Sequence, residues 1–394
     1  MLTTSNGDTP MSAKTAIVIG AGVLGCSVAA ELTRNNVRVT LIDEAEIASG
    51  TSAATFAWVN GNNKSPENYS HLNFLGLQAH ERAAAAGARW FHQTGMVQVA
   101  QSAVEAEGYE RNVKNIAWPE YGARPLTRAG VLQLEPSLDA ERVVGGAFYP
   151  REGWIDVQTM CHSLAEMCLE QGASFRPFES VKEIRDNEVV TECRDGSLST
   201  YTADVIIVAA GNGTPHILRS VGIDFPLLDP HAHPDERGSV GSSVGVISTT
   251  GKVDAGIRHF VRTKGVALRP SRNGGITFSD HPTGGQWAQD DPRTWQVPQT
   301  LLERAKALYP SLKGAVTKNV ALGTRVLPSD GLTVVDWVGS GAPVYAAATH
   351  SGVTLSAHLA ETIVRELLTG HRDESVQSFG LDRFKERVPS EAGS

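Results

Sequence analysis

Ala16-Ile17-Val18-Ile19-Gly20-Ala21-Gly22-Val23-Leu24-Gly25 reads as a buried strand, a glycine turn and the start of a helix. Gly20 permits the tight turn, Gly22 lets the backbone approach a pyrophosphate, and Gly25 lets helix and strand pack closely. The helix begins at Val23 and Leu24, where unpaired N–H groups and the positive end of the dipole face the phosphates. A second strand, Val37-Arg38-Val39-Thr40-Leu41-Ile42-Asp43, ends in an acid about 20 residues on, placed to accept hydrogen bonds from a ribose. Strand, turn, helix and acid in this order predict a bound dinucleotide.

The chain around this unit has 394 residues, enough for two domains with sizeable cores. Its formal net charge is −8 and it contains no basic run, which argues against nucleic acid and against an anionic membrane surface as partners. No apolar run approaches the roughly 18 residues of a spanning helix. Residues 1–13 are polar, lack the apolar region of a secretory signal, and are expected to be a flexible tail. Four cysteines occur without CxxC or metal-finger spacing and read as reduced thiols of a cytoplasmic protein.

After Asp43 the chain departs from a simple nicotinamide-cofactor unit. The stretch 48–55 is small and hydroxyl-rich, so its backbone and hydroxyls can reach a ligand. A long helical pattern covers 66–92, and 95–100 alternates like a strand. Short helical pieces fill 103–138. Gly145-Gly146-Ala147-Phe148-Tyr149 starts another strand, and Asp156 caps a helix over 157–170 that Gly172 ends. Asp195-Gly196 marks a hairpin turn. The apolar run from Ala203 to Gly211 fits a strand buried on both faces of a parallel sheet. Alternating runs over 225–322 predict an antiparallel sheet with one helix near 299–308. Finally, Val344-Tyr345-Ala346-Ala347-Ala348 leads through Thr349-His350-Ser351-Gly352-Val353-Thr354 into a helix with Leu355, Leu359, Ile363 and Leu367 on one face. From 370 onward the tail is polar, with Phe379, Leu381 and Phe384 as its docking positions.

Three separated strand–glycine segments exceed what an isolated nicotinamide-binding unit needs, and their order suits a flavin dinucleotide. The sequence resembles the FAD-dependent amine and amino-acid oxidoreductases typified by D-amino-acid oxidase, glycine oxidase, sarcosine oxidase and D-amino-acid dehydrogenase. The match rests on Gly20 to Gly25, Ser49-Gly50-Thr51-Ser52, Gly153-Trp154-Ile155-Asp156, the run ending at Gly211, Gly323-Thr324-Arg325-Val326-Leu327-Pro328-Ser329-Asp330-Gly331, and Thr349 to Leu355. The resemblance implies an α/β fold: a Rossmann-like FAD-binding domain from segments 14–92, 146–222 and 324–372, with an α+β substrate domain built on an antiparallel sheet from 93–145 and 223–323. It further implies that FAD is held by Gly20, Gly22, Val23, Leu24, Gly25, Asp43, Glu44, Ser49, Gly50, Thr51, Ser52, Val181, Ala210, Gly211, Arg325, Ser351, Gly352, Val353 and Thr354.

The implied chemistry is hydride loss from an amine-bearing carbon of a small amino acid or amine, giving an imine that hydrolyses. The electron acceptor is O2, a quinone or another carrier, and the protein is a monomer or a homo-oligomer. Arg325 and His350 are the candidate catalytic residues. Arg325 matches the arginine that clamps a substrate carboxylate in glycine-oxidase-like sequences, although Val326 stands where proline is usual. His350 abuts the flavin-facing turn, where an imidazole tunes pH dependence. His259 and His281 are weaker site candidates. His231 and His233, flanked by Asp229 and Asp235, read as a solvated loop rather than a metal site, and no metal is expected. Trp58 and Tyr345 read as packing aromatics, with Trp58 a candidate wall of the substrate pocket. Ser52 to Phe56 contains no histidine and the last third of the chain no cysteine, so FAD is expected to be non-covalent. Two other classes stand beside this one: a flavin monooxygenase, and a non-catalytic flavin-binding subunit of a larger complex.

Overall fold

The computed structural model describes residues 13–230, 244–279, 291–338 and 342–385. The apolar strand Thr15–Ile19 sits inside a six-stranded sheet, between Val205–Val208 on one side and Arg38–Asp43 on the other. The order continues outward to Val344–Ala348 and Val334–Val338 on one flank and to Ser174–Pro177 on the other. All neighbours are parallel except the edge pair Val334–Val338 and Val344–Ala348. Residues 205–208 are wholly buried, which explains why they read as an unbroken apolar run.

The helix Val23–Arg34 follows the glycine turn and packs on this sheet. Two glycines make that approach possible. Gly20 has a φ of +106°, and a Cβ there would stand 2.4 Å from the Ala209 carbonyl oxygen. A Cβ on Gly25 would stand 1.7 Å from the Gly20 carbonyl oxygen. Against the same face lies the last helix, Gly352–Thr369, whose Leu355, Leu359, Ile363 and Leu367 are buried as their spacing predicts.

An eight-stranded sheet forms the second layer. Its order is Thr317–Thr324, Val244–Thr250, Ile276–Ser279, Ala267–Pro270, Phe260–Arg262, Met96–Ala100, Gly145–Tyr149 and Arg124–Thr127. The expected antiparallel sheet is therefore mixed at one place: Phe260–Arg262 runs parallel to Met96–Ala100, because segments distant in sequence meet there. One helix, Val297–Leu308, backs the sheet with Leu301, Leu302, Ala305 and Leu308 buried. Two smaller sheets complete the description. One holds the hairpin Glu188–Cys193 and Leu198–Thr202, turning at Gly196 with φ +83°. The other joins Trp58–Val59, Gly153–Ile155 and Phe91–His92.

The helix expected over 66–92 is shorter, Glu67–Ala85. Gly87, at φ +102°, turns the chain out of the helix, and Phe91–His92 then pairs as a strand. Phe379 docks fully buried, with Leu381 and Phe384 packed beside the core. No helix among the described residues is long and apolar enough to cross a membrane.

Candidate functional site

Strand order fixes what meets at the carboxyl ends of the parallel strands. Reading across the sheet, Asp43 comes first, then the Gly20 turn, then Ala209 and Ala210, then Ala348 and Thr349. Three strand spacings of about 4.8 Å separate the ends, so this crevice runs about 14 Å. It opens into a cavity of about 790 Å3 between the two large sheets.

The structure brings nearly every sequence-predicted residue to this cavity. Gly20, Gly22, Val23 and Leu24 line it, as do Asp43, Glu44, Ser49, Gly50, Thr51 and Ser52. Val181, Ala210, Gly211 and Arg325 line it too, and so do His350, Ser351, Gly352, Val353 and Thr354. Gly25 does not; it lies one turn inside, against Gly20. The Asp43 carboxylate accepts from the Ala21 N–H at 2.6 Å and the Ala45 N–H at 2.8 Å, so it holds the glycine turn while still lining the cavity. Ser52 Oγ accepts from the Val23 N–H at 3.1 Å, and Thr51 Oγ1 donates to the Thr324 carbonyl at 2.7 Å. The hydroxyl-rich stretch thus ties the glycine turn to the long strand of the second sheet.

Two helix N-termini open toward the cavity. Neither Val23–Arg34 nor Gly352–Thr369 has a side-chain cap or an acidic residue in its first turn. Apart from the Val23 N–H, which Ser52 Oγ holds, their leading N–H groups and dipole ends are available to a ligand carrying negative charge at two places, as a pyrophosphate and a reduced flavin carry it. The glycine cradle and the flanking hydroxyls fit the same molecule.

The weaker candidates resolve differently. His259 lies outside the cavity lining: its Nδ1 pairs with Glu135 Oε1 at 2.8 Å, and Tyr309 donates to Glu135 Oε2 at 2.8 Å, making a buried structural cluster. His231, His233, Asp235 and His281 fall outside the described residues. Among the described residues no group of three or more His, Cys, Asp or Glu side chains is arranged to hold a metal. Tyr345 is buried and donates to Glu366 at 2.9 Å, a packing role. Trp58 lines the cavity.

Around Trp58 stands a set of residues that sequence reading missed. The indole stacks on Phe260 with ring centroids 5.1 Å apart, and the Arg262 guanidinium carbon lies 5.1 Å from its ring. Its Nε1 donates to Glu152 Oε2 at 2.9 Å, while Asn62 and Tyr121 donate to Glu152 Oε1. Lys64 Nζ donates to Ser351 Oγ at 3.1 Å, and Tyr69 OH bonds the same hydroxyl at 2.9 Å. Thr354 Oγ1 bonds the Trp58 carbonyl at 3.2 Å, so this wall is fastened to the first turn of the last helix. None of these residues carries a motif. Arg262 ends a three-residue strand, Lys64 lies in the loop before helix Glu67–Ala85, and only the folded chain brings them together.

Burial dominates the electrostatics here. Desolvation pushes the Glu152 carboxyl up to about 7, outweighing its three donors. An acid with a raised pKa contributes stability below its unfolded value of 4.5, which is lost as pH rises through about 7. Glu152→Gln removes that dependence. The unfolding free energy of the wild type minus that of the variant should fall by about 3 kcal/mol across this window. Chemical denaturation of both proteins at pH 5 and pH 8 checks it; a difference constant with pH contradicts the assignment.

The comparisons with known proteins agree with this geometry. The chain is 23% identical over 391 residues to one of the subunits of opine oxidase from Agrobacterium tumefaciens (strain Ach5), covering 93% of this chain and 96% of that one. It is 24% identical over 219 residues to glycine oxidase of Geobacillus kaustophilus (strain HTA426), covering 54% of this chain and 57% of the relative. The crystal structure of glycine oxidase from Geobacillus kaustophilus superposes with a TM-score of 0.75 at 19% identity, covering 94% of this chain and 98% of that one. L-Proline dehydrogenase from P.horikoshii gives 0.77 at 18%, covering 94% and 97%. The family model described as DAO, FAD dependent oxidoreductase, matches residues 15–366. With the match spanning the glycine turn, the hydroxyl-rich stretch and the last helix, the chain belongs to the DAO family of FAD-dependent oxidoreductases.

Proposed function

We propose that this chain oxidises a small amino acid or amine at the cavity between its two large sheets, with FAD bound non-covalently. The observation that carries the reading is convergence: Gly20, residues 22–24, 49–52, 210–211 and 351–354 line one cavity, with an aromatic and cationic wall at Trp58. The relatives named opine oxidase and glycine oxidase support the substrate class. FAD, when bound, supplies the two-electron acceptor for the substrate C–H bond. The chain's own residues do the rest. Gly20 to Leu24 and Ser49 to Ser52 hold the phosphates, Asp43 and Glu44 face the ribose, and the N-terminus of Gly352–Thr369 stabilises charge on the ring. Trp58, Phe260 and Phe56 exclude water and orient the C–H bond. The amine would react in its neutral form, having given its proton to solvent before binding, so the chain need supply no strong base. His350 and His216 are exposed histidines lining the cavity.

None of the four cysteines lines the cavity, in keeping with non-covalent binding. Four free cysteines favour a reducing, cytoplasmic setting. The electron acceptor is O2 or a quinone-type carrier. Because two relatives are named as one subunit of an opine oxidase, a complex is a second reading for the quaternary state. The purified protein is expected to be yellow and to release free FAD on acid precipitation. Anaerobic addition of D- and L-amino acids, N-methyl amino acids and simple amines should bleach it with at least one of them. A colourless protein that does not take up FAD would remove the reading.

A further inference from the structure

We propose that a second cavity, walled by the helices Val23–Arg34, Glu67–Ala85, Val157–Glu170 and Gly352–Thr369, binds a neutral heteroaromatic molecule of one or two rings that offers an N–H to His80 and an acceptor to Trp90. No residue lines both this cavity and the flavin cavity, so the site stands apart from the one described above.

The cavity measures about 290 Å3. An apolar cavity of about 150 Å3 is already enough for benzene. Its floor is Ala79, Ala83, Met160, Leu164, Ala357 and Ala360, and the four alanines on two facing helices leave the space open. The Met160 thioether and the Trp90 indole suit the face of a flat ring.

Two polar side chains interrupt this lining, and each carries a buried atom without a protein partner. His80 is fully buried, and its Nε2 lies 2.8 Å from the Val353 carbonyl. A carbonyl only accepts, so Nε2 carries the hydrogen and Nδ1 is a bare lone pair. Burial also lowers the imidazole to about 4, which keeps it neutral at physiological pH. Among the described residues, neither His80 Nδ1 nor the Trp90 Nε1–H has a hydrogen-bond partner. An acceptor and a donor left unpaired in an apolar space are costly, and a ligand with the matching donor and acceptor removes that cost. Ordered water is the competing occupant. Each buried water needs two to four polar partners, and the floor presents only these two unpaired atoms.

The mouth selects against ions. Arg34 pairs with Glu31 at 3.1 Å and Arg82 with Glu361 at 2.6 Å, so the charges around it cancel. Both arginine side chains are about half exposed, which places the mouth at the surface and gives a ligand a way in. Inside, the His80 imidazole bonds Val353, in the first turn of the last helix and itself a residue of the flavin cavity. The occupant therefore sits one imidazole away from that turn.

The test is calorimetric titration of the purified full chain with benzimidazole, at a pH where this probe is neutral. Indole, which lacks the acceptor, and 1-methylbenzimidazole, which lacks the donor, run beside it. Benzimidazole should bind with a Kd of about 1 mM or tighter, and about 3- to 10-fold more tightly than either analogue, one net hydrogen bond apiece. Trp90→Phe should weaken benzimidazole to the level of indole and leave indole unchanged. Ala83→Leu fills the floor from a half-buried helix position and should abolish binding of all three probes. Ala85→Leu, on the same helix but outside the lining, should not. Undiminished benzimidazole binding in both Ala83→Leu and Trp90→Phe would overturn the site. So would the absence of heat with every probe, or a crystal soaked with benzimidazole whose cavity holds ordered water only.

Discussion

Gly25→Ala should purify without flavin and unfold well below the wild type. The added Cβ would lie 1.7 Å from the Gly20 carbonyl oxygen, a backbone atom that cannot swing aside. Helix Val23–Arg34 must therefore lift from strand Thr15–Ile19, and the glycine turn opens with it. Overpacking of this kind costs about 1–3 kcal/mol and sometimes more. Loss of bound FAD removes a further contribution, about 2.7 kcal/mol at a ligand concentration 100 times Kd. Gly314→Ala is the control, because a Cβ there meets nothing within 4 Å. It should keep its colour and shift stability by no more than about 0.5 kcal/mol. Flavin absorbance per mole of protein and thermal unfolding of the two variants decide the matter; a yellow Gly25→Ala protein of wild-type stability would contradict the close packing.

Lys64→Met should make the protein more stable at neutral pH. Burial, with Arg262 nearby, lowers the Lys64 ammonium from 10.5 to about 8. A lysine with a depressed pKa contributes fully only above its unfolded value, and that contribution is lost as pH falls through about 8. At pH 7 the charged form therefore costs the fold about 3 kcal/mol by linkage. Methionine fills similar space without charge, and the lost Ser351 hydrogen bond offsets about 1 kcal/mol. The net gain of about 2 kcal/mol should shrink as pH is raised toward 10. Denaturant unfolding at pH 7 and pH 10 measures it. A variant less stable than wild type at pH 7 would show that Lys64 is an ordinary structural cation. A gain in stability on removing the buried charge is the pattern of a residue kept for function.

Legibility in the sequence followed the locality of the signal. The glycine turn, its acid and the two later strand segments were legible because each is a local pattern with a fixed meaning: an apolar run, a turn residue, an uncapped helix start. Their convergence follows from parallel-sheet topology once three such units share a chain. The end of the helix after Pro66 is hard to read because Ala83 to Ala86 continues a helical composition past the point where Gly87 turns the chain. The parallel pair of Phe260–Arg262 with Met96–Ala100 was illegible, since register between distant strands leaves no local trace. Trp58 was itself a candidate pocket wall, but its partners were hidden for the same reason. Asn62, Lys64, Tyr121, Glu152 and Arg262 come from four parts of the chain, and their chemistry exists only where those parts meet. Arg325 drew attention because it sits in a recognisable loop, whereas Arg262 sits in none.

The most direct measurement is a crystal structure of the FAD-loaded protein. Density should run along the carboxyl ends of the parallel strands, with the pyrophosphate over Gly22 and Val23 and the ring system between the N-terminus of Gly352–Thr369 and the Trp58 wall. A dinucleotide whose ring lies outside that cavity, or whose phosphates avoid the Gly22 turn, would contradict the account.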